Sequence, residues 1–382
     1  MKIMYYLPSL HTPGGLERII TFKANYFAEN YKDYSVTILT SEQMDRKPYY
    51  PLSSLIKHVD LHVAFDEPMR QSLLMKLLTY PFKYYLFKKR FKLFLNNNPQ
   101  DIVISTLRRE LNFITEISDK SIKIGEFHVT RNSYHANAAK GSNPLTIFFK
   151  KRWSNKFLNN LKKLDKLILL TQEEANLWPE LTNKYVIHNS LPFFPEQASD
   201  CSHKQIIAVG RYTFQKGFDL LINAWGKVSY RHPDWILQIY GDGERADLEQ
   251  LIKSNNVTKS CFLEHTTPDI IDKYCHSSIF VLSSRFEGLP MVLAEAMACG
   301  LPPVSFTCPC GPRDIIHDNE DGLLVDNGNI EQLAEKICYL IENDTIRKEM
   351  GGKARENIKR IKIENISKQW DELFNSLLKQ KA

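Results

Sequence analysis

The sequence predicts an α/β protein with two Rossmann-like domains, each built on a parallel β-sheet covered by helices. A chain of 382 residues is longer than one ordinary hydrophobic core supports, so two domains are expected. In both halves, short apolar runs alternate with helical stretches, as in consecutive β-α-β units. A polar, proline-containing segment, 191–204, separates the halves and is predicted to be a linker.

The first half, residues 1–190, is predicted to form the N-terminal domain. A helical stretch, 16–30, lies between the first two predicted strands, and two further helices are predicted over 73–95 and around Trp153. The predicted strands are 2–7, 34–40, 101–106, 122–127, 166–170 and 184–188. We interpret the N-terminus as the first strand, since Pro8 interrupts its apolar run too early for a signal peptide.

The second half is predicted to form a C-terminal domain over residues 205–363. Helices are predicted from Phe218, over 247–255 and after Pro290. The predicted strands are 205–210, 235–241, 261–264, 278–284, 302–306 and 322–325. We expect the remaining residues, 364–382, to form a terminal helix that returns to the N-terminal domain.

Composition excludes several classes of protein. No run of about 18 apolar residues is present, so no membrane-spanning helix is predicted. The seven cysteines are odd in number and lack a repeated C-x-x-C pattern, which argues against a disulfide framework and a structural zinc site. Reduced cysteines fit a cytoplasmic protein. No nucleic-acid recognition motif accompanies the basic residues.

The positive charge is concentrated in the first half of the chain. Residues 1–190 contain 28 Lys and Arg against 17 Asp and Glu, whereas the remainder contains 22 against 27. In the stretches 73–95 and 147–167, basic residues are mixed with Phe, Tyr, Leu and Trp153 at roughly helical spacing. This mixture predicts peripheral contact with an anionic lipid surface. The alternative is two ordinary surface helices whose aromatic faces pack on the core.

Four motifs, in this order, resemble one known family. They are GGLERI (14–19), VGRYTFQKGFDLLINAW (209–225), SSRFEGLPMVLAEAMACGLPPV (283–304) and CPCGPRDIIHDNEDGLLV (308–325). Together they resemble the family 4 retaining glycosyltransferases of the GT-B fold, particularly bacterial enzymes of capsule, exopolysaccharide and lipopolysaccharide assembly. The resemblance is strongest from residue 206 to residue 325 and weak between about 45 and 100. It implies two domains that face each other across a cleft.

The resemblance implies a site for a nucleotide-sugar donor. Arg211 and Lys216 match the residues that bind the diphosphate, where fixed cations stabilise the charge that develops on the leaving group. Glu287 and Glu295 match an E-x7-E pair in which the first glutamate accepts from sugar hydroxyls and the second from the ribose. The other donor-binding residues implied are Gly14, Gly15, His265, Gly288, Leu289, Pro290, Met291 and Val292.

Local chemistry agrees with these roles. The first N–H groups of a helix that begins after Pro290, at Met291 and Val292, lack partners within the helix and favour an anion. The bare backbone of Gly14 and Gly15 at a helix start allows a close approach by a phosphate. Glu17 is expected to cap or orient this glycine loop.

Two further positions are less specific. His128 matches in position a histidine that the family places near the reacting sugar, so His128 joins Arg211, Lys216 and Glu287 as a predicted catalytic residue. Glu126 is expected either to face the same site or to pair with Arg131. The family more often has Gly at the position of Glu264, which leaves the identity of the base open.

These observations predict a metal-independent enzyme without a cofactor, which transfers a hexose with retention from a nucleotide diphosphate sugar. The resemblance implies that the diphosphate is bound without a metal, and the absence of a D-x-D motif is consistent with this. The resemblance to polysaccharide-assembly enzymes implies UDP-galactose, UDP-glucose or UDP-N-acetylgalactosamine as the favoured donor, and a glycan or polyprenyl-linked glycan as acceptor. The expected location is the cytoplasm, at the inner face of the plasma membrane. Three alternatives remain: a GDP-mannose-dependent mannosyltransferase, a nucleotide-sugar 2-epimerase and an inactive membrane scaffold.

Overall fold

The computed structural model describes residues 1–65, 73–131 and 144–381. The chain divides into two compact units. The first unit consists of Met1–Leu170, Ala175–Ser190 and Ile363–Ala382, and the second of Thr171–Glu174 and Leu191–Lys362. The segment predicted to be a linker, 191–204, is therefore part of the second unit.

The first unit contains a seven-stranded sheet in the order β3-β2-β1-β4-β5-β6-β7, with every pair of neighbours parallel. Its strands are β1 (Lys2–Tyr6), β2 (Ser35–Thr40), β3 (Lys57–Asp60), β4 (Ile102–Ser105), β5 (Ile122–Phe127), β6 (Lys166–Leu169) and β7 (Lys184–Val186). In register, Ile3 of β1 lies between Val36 of β2 and Ile102 of β4. The chain builds β1 to β3 in one direction and then crosses to β4, so the strand order reverses between β1 and β4.

The second unit contains a six-stranded parallel sheet in the order β10-β9-β8-β11-β12-β13. Its strands are β8 (Gln205–Val209), β9 (Ile236–Tyr240), β10 (Cys261–Glu264), β11 (Ile279–Leu282), β12 (Pro303–Phe306) and β13 (Leu323–Val325). Here the order reverses between β8 and β11. Ligands of open parallel sheets bind outside the carboxyl ends of the strands at such a reversal.

Helices connect the strands. They are α1 (Gly15–Asn30), α2 (Leu73–Asn97), α3 (Pro144–Lys162), α4 (Gln172–Asn176), α5 (Phe218–Arg231), α6 (Ala246–Ser254), α7 (Ile270–Cys275), α8 (Met291–Ala298), α9 (Pro312–Ile315), α10 (Ile330–Glu342), α11 (Asp344–Asn357) and α12 (Ile363–Lys381). The last helix, α12, belongs to the first unit, where the ring of Phe374 lies 5.9 Å from that of Phe27 in α1.

Each sheet has its own hydrophobic core. In the first unit, the rings of Phe87 and Phe91 in α2 pack on Tyr6 and Phe113, with centroid distances from 5.2 to 5.7 Å. In the second unit, Trp225 of α5 is fully buried, and its indole donates to Ser260 at 3.1 Å. Strands rich in Ile, Val and Leu are typical of parallel sheets that helices cover on both faces.

All twelve predicted strands are present, with ends that differ by no more than a few residues. One strand of the first sheet, β3, was missed. Three of its four residues, KHVD, are polar, and the strand has one exposed residue followed by three partly buried ones, so it lacks the apolar run that marks the other strands. The seven cysteines are free thiols, as the composition predicted.

Candidate active site

The reversal point of the second sheet holds a largely buried lysine–glutamate pair. Lys216 follows β8 and Glu287 follows β11, the two strands that flank the reversal. The Nζ of Lys216 lies 2.7 Å from Oε1 of Glu287, and the same oxygen accepts from the hydroxyl of Ser284 at 2.6 Å. The Lys216 side chain is 15% exposed and that of Glu287 is 7% exposed. The sequence placed both residues in the site, and the structure brings them into direct contact.

A glycine holds the backbone that presents Lys216. The 3-10 turn Phe214–Lys216 ends at Gly217, which has a φ of 62° in the left-handed region. A Cβ at this position would lie 2.1 Å from the carbonyl oxygen of Ser283, the residue that follows β11 by one position. The hydroxyl of Ser283 also donates to the carbonyl of Lys216 at 3.0 Å. Only glycine therefore fits, because the two loops pack backbone against backbone.

Arg211 lies at the start of the same loop and is exposed. Its guanidinium forms no ion pair with any residue that the structure describes. Gly210, just before it, packs on the Lys216 side chain, whose Cδ and Cε would both be 3.0 Å from an added Cβ. The loop thus contains one cation in an ion pair, Lys216, and one outside any ion pair with the described residues, Arg211. Both side-chain types are suited to binding phosphate oxygens.

Arg285, beside the site, has a bracing role that the sequence did not reveal. Its guanidinium donates to both oxygens of Asp219 in α5, at 2.8 and 2.6 Å, and lies 4.1 Å from the centre of the Phe214 ring. Hydrogen bonds from Arg285, the largest cause, lower the pKa of Asp219. This bidentate pair ties the loop after β11 to the start of α5, and Arg285 also donates to the Phe214 carbonyl at 2.9 Å, in the turn that carries Lys216.

Helix α8 begins at the site. Its first residue, Met291, and the next, Val292, are half-buried, and Pro290 precedes them without a side-chain cap. Gly311, with a φ of 105°, lets a neighbouring loop pack on this start, since an added Cβ would lie 2.4 Å from Cδ of Pro290. The prediction of a helix start after Pro290 is confirmed, and its backbone N–H groups keep the donor capacity expected of an uncapped helix.

The remaining donor-binding residues of the second unit differ in exposure. Glu295, one turn into α8, is 2% exposed, whereas Leu289 is 9% exposed and Gly288 is half-buried. The Glu295 carboxylate therefore has little access to solvent. Its binding of ribose hydroxyls stays a prediction.

His265, in contrast, lies at the surface with its side chain 79% exposed. Its Nδ1 is 2.9 Å from Oδ1 of Asp242, and the Thr266 hydroxyl also donates to that carboxylate. These hydrogen bonds, Thr266 first, lower the pKa of Asp242. The Glu264 carbonyl accepts from the backbone of Gly241 at 3.1 Å and from the Tyr212 hydroxyl. The loop after β10 is thus anchored through backbone, and contact with a base stays a prediction.

In the first unit, Gly14 and Gly15 form the start of α1. Gly14 has a φ of −77° and provides no side-chain cap. An added Cβ at Gly14 would lie 1.9 Å from Oε2 of Glu17, whereas one at Gly15 would meet nothing within 4 Å. Glu17 accepts from the Thr12 hydroxyl at 3.1 Å, which agrees with the expected ordering of this loop. Its carboxylate lies against the bare backbone of Gly14, and phosphate binding at this loop stays a prediction.

His128 belongs to a buried network at the end of β5. Its Nε2 lies 2.9 Å from Oε2 of Glu126, and Oε1 of Glu126 accepts from the ammonium of Lys23 in α1. Glu126 and Lys23 are 1% and 5% exposed. Among the described residues, Nδ1 of His128 has no partner. The carboxylate thus orients the ring through Nε2, while Nδ1 is buried.

The charges of this network stabilise each other. Burial alone would raise the pKa of Glu126, but the Lys23 ammonium and then His128 outweigh it and hold that pKa at about 2. Burial lowers the pKa of Lys23, and Glu126 opposes this effect. Of the two expectations for Glu126, pairing with Arg131 is wrong, because Arg131 pairs with Glu180 at 2.5 Å. The sequence did not point to Lys23, whose partner lies 103 residues away.

One cluster in the second unit has the residue types of a metal site. The ligand atoms of His232, Cys338 and Glu342 lie within 4.8 Å of one another. However, Arg231 already donates to Glu342 at 2.6 Å, and burial raises the pKa of the Cys338 thiol. Metal binding requires a thiolate and an available carboxylate, so these residues are poorly suited to a cation.

Within the described part of the chain, every helix is too short or too polar to cross a membrane.

Comparison with known proteins agrees with the geometry. A family model described as "Glycosyl transferases group 1" matches residues 192–357. An uncharacterized glycosyltransferase of Haemophilus influenzae is 36% identical over 211 residues, which are 54% of this chain and 60% of that protein. The amylovoran biosynthesis glycosyltransferase AmsD of Erwinia amylovora is 28% identical over 98% of this chain and 99% of its own length.

A third relative comes from Campylobacter jejuni. It is a GalNAc-alpha-(1->4)-GalNAc-alpha-(1->3)-diNAcBac-PP-undecaprenol alpha-1,4-N-acetyl-D-galactosaminyltransferase, 26% identical over 98% of both chains. Two solved structures share the fold. Sucrose-phosphate synthase of Thermosynechococcus elongatus has a TM-score of 0.80 at 16% identity over 99% of both chains. Anabaena HepE, solved with UDP, has a TM-score of 0.74 at 16% identity over 98% of this chain and 100% of its own.

Two Rossmann-like domains and these matches place the chain among the two-domain α/β proteins of the GT-B fold, so the predicted fold class is confirmed. Residues 192–357 form a glycosyl transferases group 1 domain.

Proposed function

We propose that the protein is a retaining glycosyltransferase that transfers a hexose from a UDP-sugar to a glycan or lipid-linked glycan in the assembly of a surface polysaccharide. The observation that carries this proposal is the Lys216–Glu287 contact at the reversal point of the second sheet, with the unpaired Arg211 in the same loop. Cations placed at this edge of a parallel sheet suit the diphosphate of a nucleotide sugar.

In this proposal, Arg211 and Lys216 stabilise the negative charge that develops on the departing diphosphate, and they do so without a metal. The uncapped start of α8, at Met291 and Val292, adds backbone donors. Glu287 accepts from hydroxyls of the transferred sugar. Retention follows if the acceptor attacks from the face that the diphosphate leaves, with the diphosphate taking the acceptor proton.

The choice of substrates draws on the relatives. UDP is bound in the HepE structure, and the Campylobacter jejuni relative acts on a glycan linked through diphosphate to undecaprenol. AmsD is named for the biosynthesis of amylovoran. We extend these chemistries to the present chain as a UDP-sugar donor and an acceptor of the glycan or lipid-linked class.

Peripheral membrane contact is part of the proposal, and α2 supplies its chemistry. Leu78, Phe82 and Tyr85 are 68, 69 and 62% exposed, and they follow one another at helical spacing. Lys89 and Lys92 continue the same stripe and are exposed. We call these five residues the α2 stripe. Large apolar side chains followed by lysines suit the interface of an anionic bilayer.

Two other basic residues of α2 have partners within the protein. Lys88 pairs with Glu116 at 2.7 Å, and Arg90 donates to the carbonyls of Leu61 and His62 at 2.6 and 2.8 Å. The cations available for lipid in this part of the helix are therefore Lys89 and Lys92. Part of the second basic stretch, 147–150, lies in α3 at positions whose side chains are outside the described ones.

Thermal shift against a panel of nucleotide sugars tests the donor. A ligand at 100 times its dissociation constant stabilises the folded state by roughly 2.7 kcal/mol. We expect UDP and one UDP-sugar to stabilise the protein, and GDP-mannose not to. NMR of the purified product then reports the anomeric configuration. Stabilisation by GDP-mannose alone, or a product of inverted configuration, would contradict the proposal.

A further inference from the structure

The first unit contains an open cavity at the reversal point of its own sheet. Its volume is about 530 Å³. Pro8, which follows β1, and Leu107 to Arg109, which follow β4, contribute to its wall. These are the two strands between which the strand order reverses, the position where parallel sheets bind ligands. None of the four predicted catalytic residues lines this cavity.

The described wall of the cavity is positively charged. It contains three cations, Arg108, Arg109 and Lys156, and one carboxylate, Glu17. Arg109 is held by Glu42 at 2.9 Å. Arg108 and Lys156 are exposed, and neither charged group forms an ion pair with a described residue. Two exposed cations outside any ion pair with the described residues favour an anionic ligand.

The loop that carries Arg108 is held in a defined shape. Leu107 has a φ of 59°, which is uncommon for a residue with a branched side chain. The backbone N–H groups of Leu107 and Arg108 donate to Ser105 Oγ and Glu110 Oε1, each at 3.0 Å, and the Ser105 hydroxyl donates to the same Glu110 oxygen at 2.6 Å. A backbone conformation maintained in this way is typical of a binding loop.

The opposite wall is aromatic. Trp153, Lys156 and Phe157 are spaced by three and four residues, so they share one face of α3. The Trp153 ring stacks on Phe157 at 6.1 Å and is still 55% exposed, and Tyr80 of α2 also lines the cavity. A flat, partly exposed indole suits the apolar face of a sugar ring, and the neighbouring lysine suits a charged substituent.

We infer that this cavity binds a phosphate or diphosphate group of the sugar acceptor through Arg108 and Lys156, with the adjoining sugar against Trp153. The inference rests on the proposed function, because it names the chemistry of the acceptor. The shared chemistry is a phosphate ester, which a polyprenyl diphosphate or a phosphate-bearing polymer would supply.

Calorimetric titration of the full chain tests this assignment. UDP is kept at saturation so that Arg211 and Lys216 are occupied, and farnesyl diphosphate, farnesol and poly(glycerol phosphate) are titrated separately. We expect a phosphate-bearing probe to bind and farnesol to bind much more weakly. The Arg108→Gln/Lys156→Gln double variant should bind that probe at least about tenfold more weakly, because charged hydrogen bonds are lost. Tighter binding of farnesyl diphosphate identifies the lipid source, and tighter binding of the polymer identifies the polymeric source.

The matched control is Lys151→Gln. Lys151 is an exposed lysine of α3 outside the cavity wall, so its loss should leave binding unchanged. Arg108→Lys keeps the charge and should retain most of the affinity, a result that a purely structural role would not give. Should the double variant fail to fold, Arg108→Gln and Lys156→Gln are titrated singly.

Two results overturn the inference: the double variant binds the probe as tightly as wild type, or wild type binds neither phosphate-bearing probe. Stabilisation by UDP is recorded on the same samples. A wild type that binds UDP but no phosphate-bearing probe contradicts the inference alone. A wild type that binds farnesyl diphosphate through Arg108 and Lys156 but is not stabilised by UDP contradicts the donor assignment instead.

Discussion

Lys216 and Glu287, 71 residues apart in sequence, form a 2.7 Å ion pair at the carboxyl edge of the second sheet. The pair is largely buried, and its carboxylate is further ordered by Ser284. In the absence of a ligand, the carboxylate compensates the lysine charge in this low-dielectric position. A diphosphate would give the ammonium a second anionic partner and leave Glu287 free for sugar hydroxyls.

The first prediction concerns these cations. Replacing Lys216 or Arg211 with Ala should reduce turnover by about a hundredfold or more, the loss typical of one donor to a developing negative charge. Initial rates at saturating donor and acceptor measure the effect. Lys227→Ala is the control, since Lys227 forms only an exposed pair with Glu331 and should keep full turnover. Turnover within a few-fold of wild type in both site variants would show that the diphosphate is bound elsewhere.

The second prediction concerns metal. The proposed site obtains its positive charge from Arg211, Lys216 and the start of α8, so activity should survive dialysis against EDTA. Rates are compared before chelation, after it, and after addition of Mg²⁺ or Mn²⁺. Loss of activity on chelation, restored by either ion, would mean that the charge stabilisation has been assigned to the wrong groups.

The third prediction concerns the network beneath His128. Lys23→Met leaves Glu126 buried without its cation, so we expect the free energy of unfolding to fall by roughly 3 to 5 kcal/mol. Lys23→Met/Glu126→Gln should recover part of this loss, because the buried charge is then absent as well. Thermal unfolding at pH 7 measures both. Lys88→Met is the control in the same unit, since its exposed pair with Glu116 should contribute about 1 kcal/mol or less.

The pH dependence of stability provides a second test of this network. The pKa of Glu126 is about 2 in the folded protein and near 4.5 when unperturbed. Its contribution to stability is therefore complete above about pH 4.5 and is lost as pH falls toward 2. Without Lys23 that pKa rises toward the unperturbed value, so the Lys23→Met variant should lose less unfolding free energy than wild type as pH falls from about 4.5 to 2. Superimposable acid-unfolding curves would contradict the coupling.

The fourth prediction concerns Glu110, the buried carboxyl that orders the cavity loop. Burial raises its pKa to about 7, from an unperturbed 4.5, despite hydrogen bonds from Ser105 and the Arg108 backbone. Because the folded state favours the protonated form, wild type loses stability as pH rises from about 4.5 to 7. Glu110→Gln should escape this loss, so its unfolding free energy relative to wild type should increase by roughly 3 kcal/mol over that range.

Chemical denaturation of both proteins at pH 5 and pH 8 measures the difference. Neighbouring charges are the same in the two proteins, so their titration cancels in the comparison. Glu116→Gln is the control, because Glu116 is about half exposed and should show no such rise with pH. A difference that is constant between the two pH values would show that Glu110 is ionised throughout.

Local sequence patterns predicted the sheets well and the site in part. Apolar runs bounded by turns define each strand of a parallel sheet, and the positions of Arg211, Lys216 and Glu287 follow from motifs at strand ends. The contact between Lys216 and Glu287 depends on the strand order β8-β11, which no local pattern contains. The contact between Lys23 and Glu126 likewise depends on the tertiary structure. From its position in a helix alone, Lys23 would be predicted to be an ordinary surface lysine, but it binds Glu126 of β5.

The charge pattern of the sequence did not show which basic residues of α2 face solvent, whereas the structure does. The run of Lys88 to Lys92 reads as one basic patch, but Lys88 and Arg90 bind groups within the first unit. A helix turns by about 100° per residue, so neighbours in sequence point to different faces. Phe87 and Phe91 pack into the core, so the opposite face of α2 is exposed, and this packing was needed to identify the α2 stripe.

The last prediction concerns that stripe. Each lysine near an anionic surface contributes about 1 kcal/mol, and an exposed Phe adds apolar contact in the headgroup layer. The Phe82→Ser/Lys89→Glu/Lys92→Glu variant should therefore lose binding to anionic vesicles, since two attractions become repulsions and the apolar anchor is removed. Activity on a lipid-linked acceptor should fall with it, whereas stabilisation by UDP should not change. Co-sedimentation with anionic and neutral vesicles at about 0.15 M salt, where the Debye length is about 8 Å, measures the binding.

A matched variant in the second unit separates docking from general charge. Tyr230→Ser/Lys253→Glu/Lys259→Glu makes the same change in net charge and removes an aromatic residue that is 89% exposed. Because these residues lie outside the α2 stripe, this variant should bind vesicles nearly as well as wild type. Equal loss in both variants would mean that net charge alone attracts the protein. Failure of wild type to sediment with anionic vesicles would make α2 an ordinary surface helix, and a lipid-linked acceptor would then have to reach the first unit without membrane docking by the enzyme.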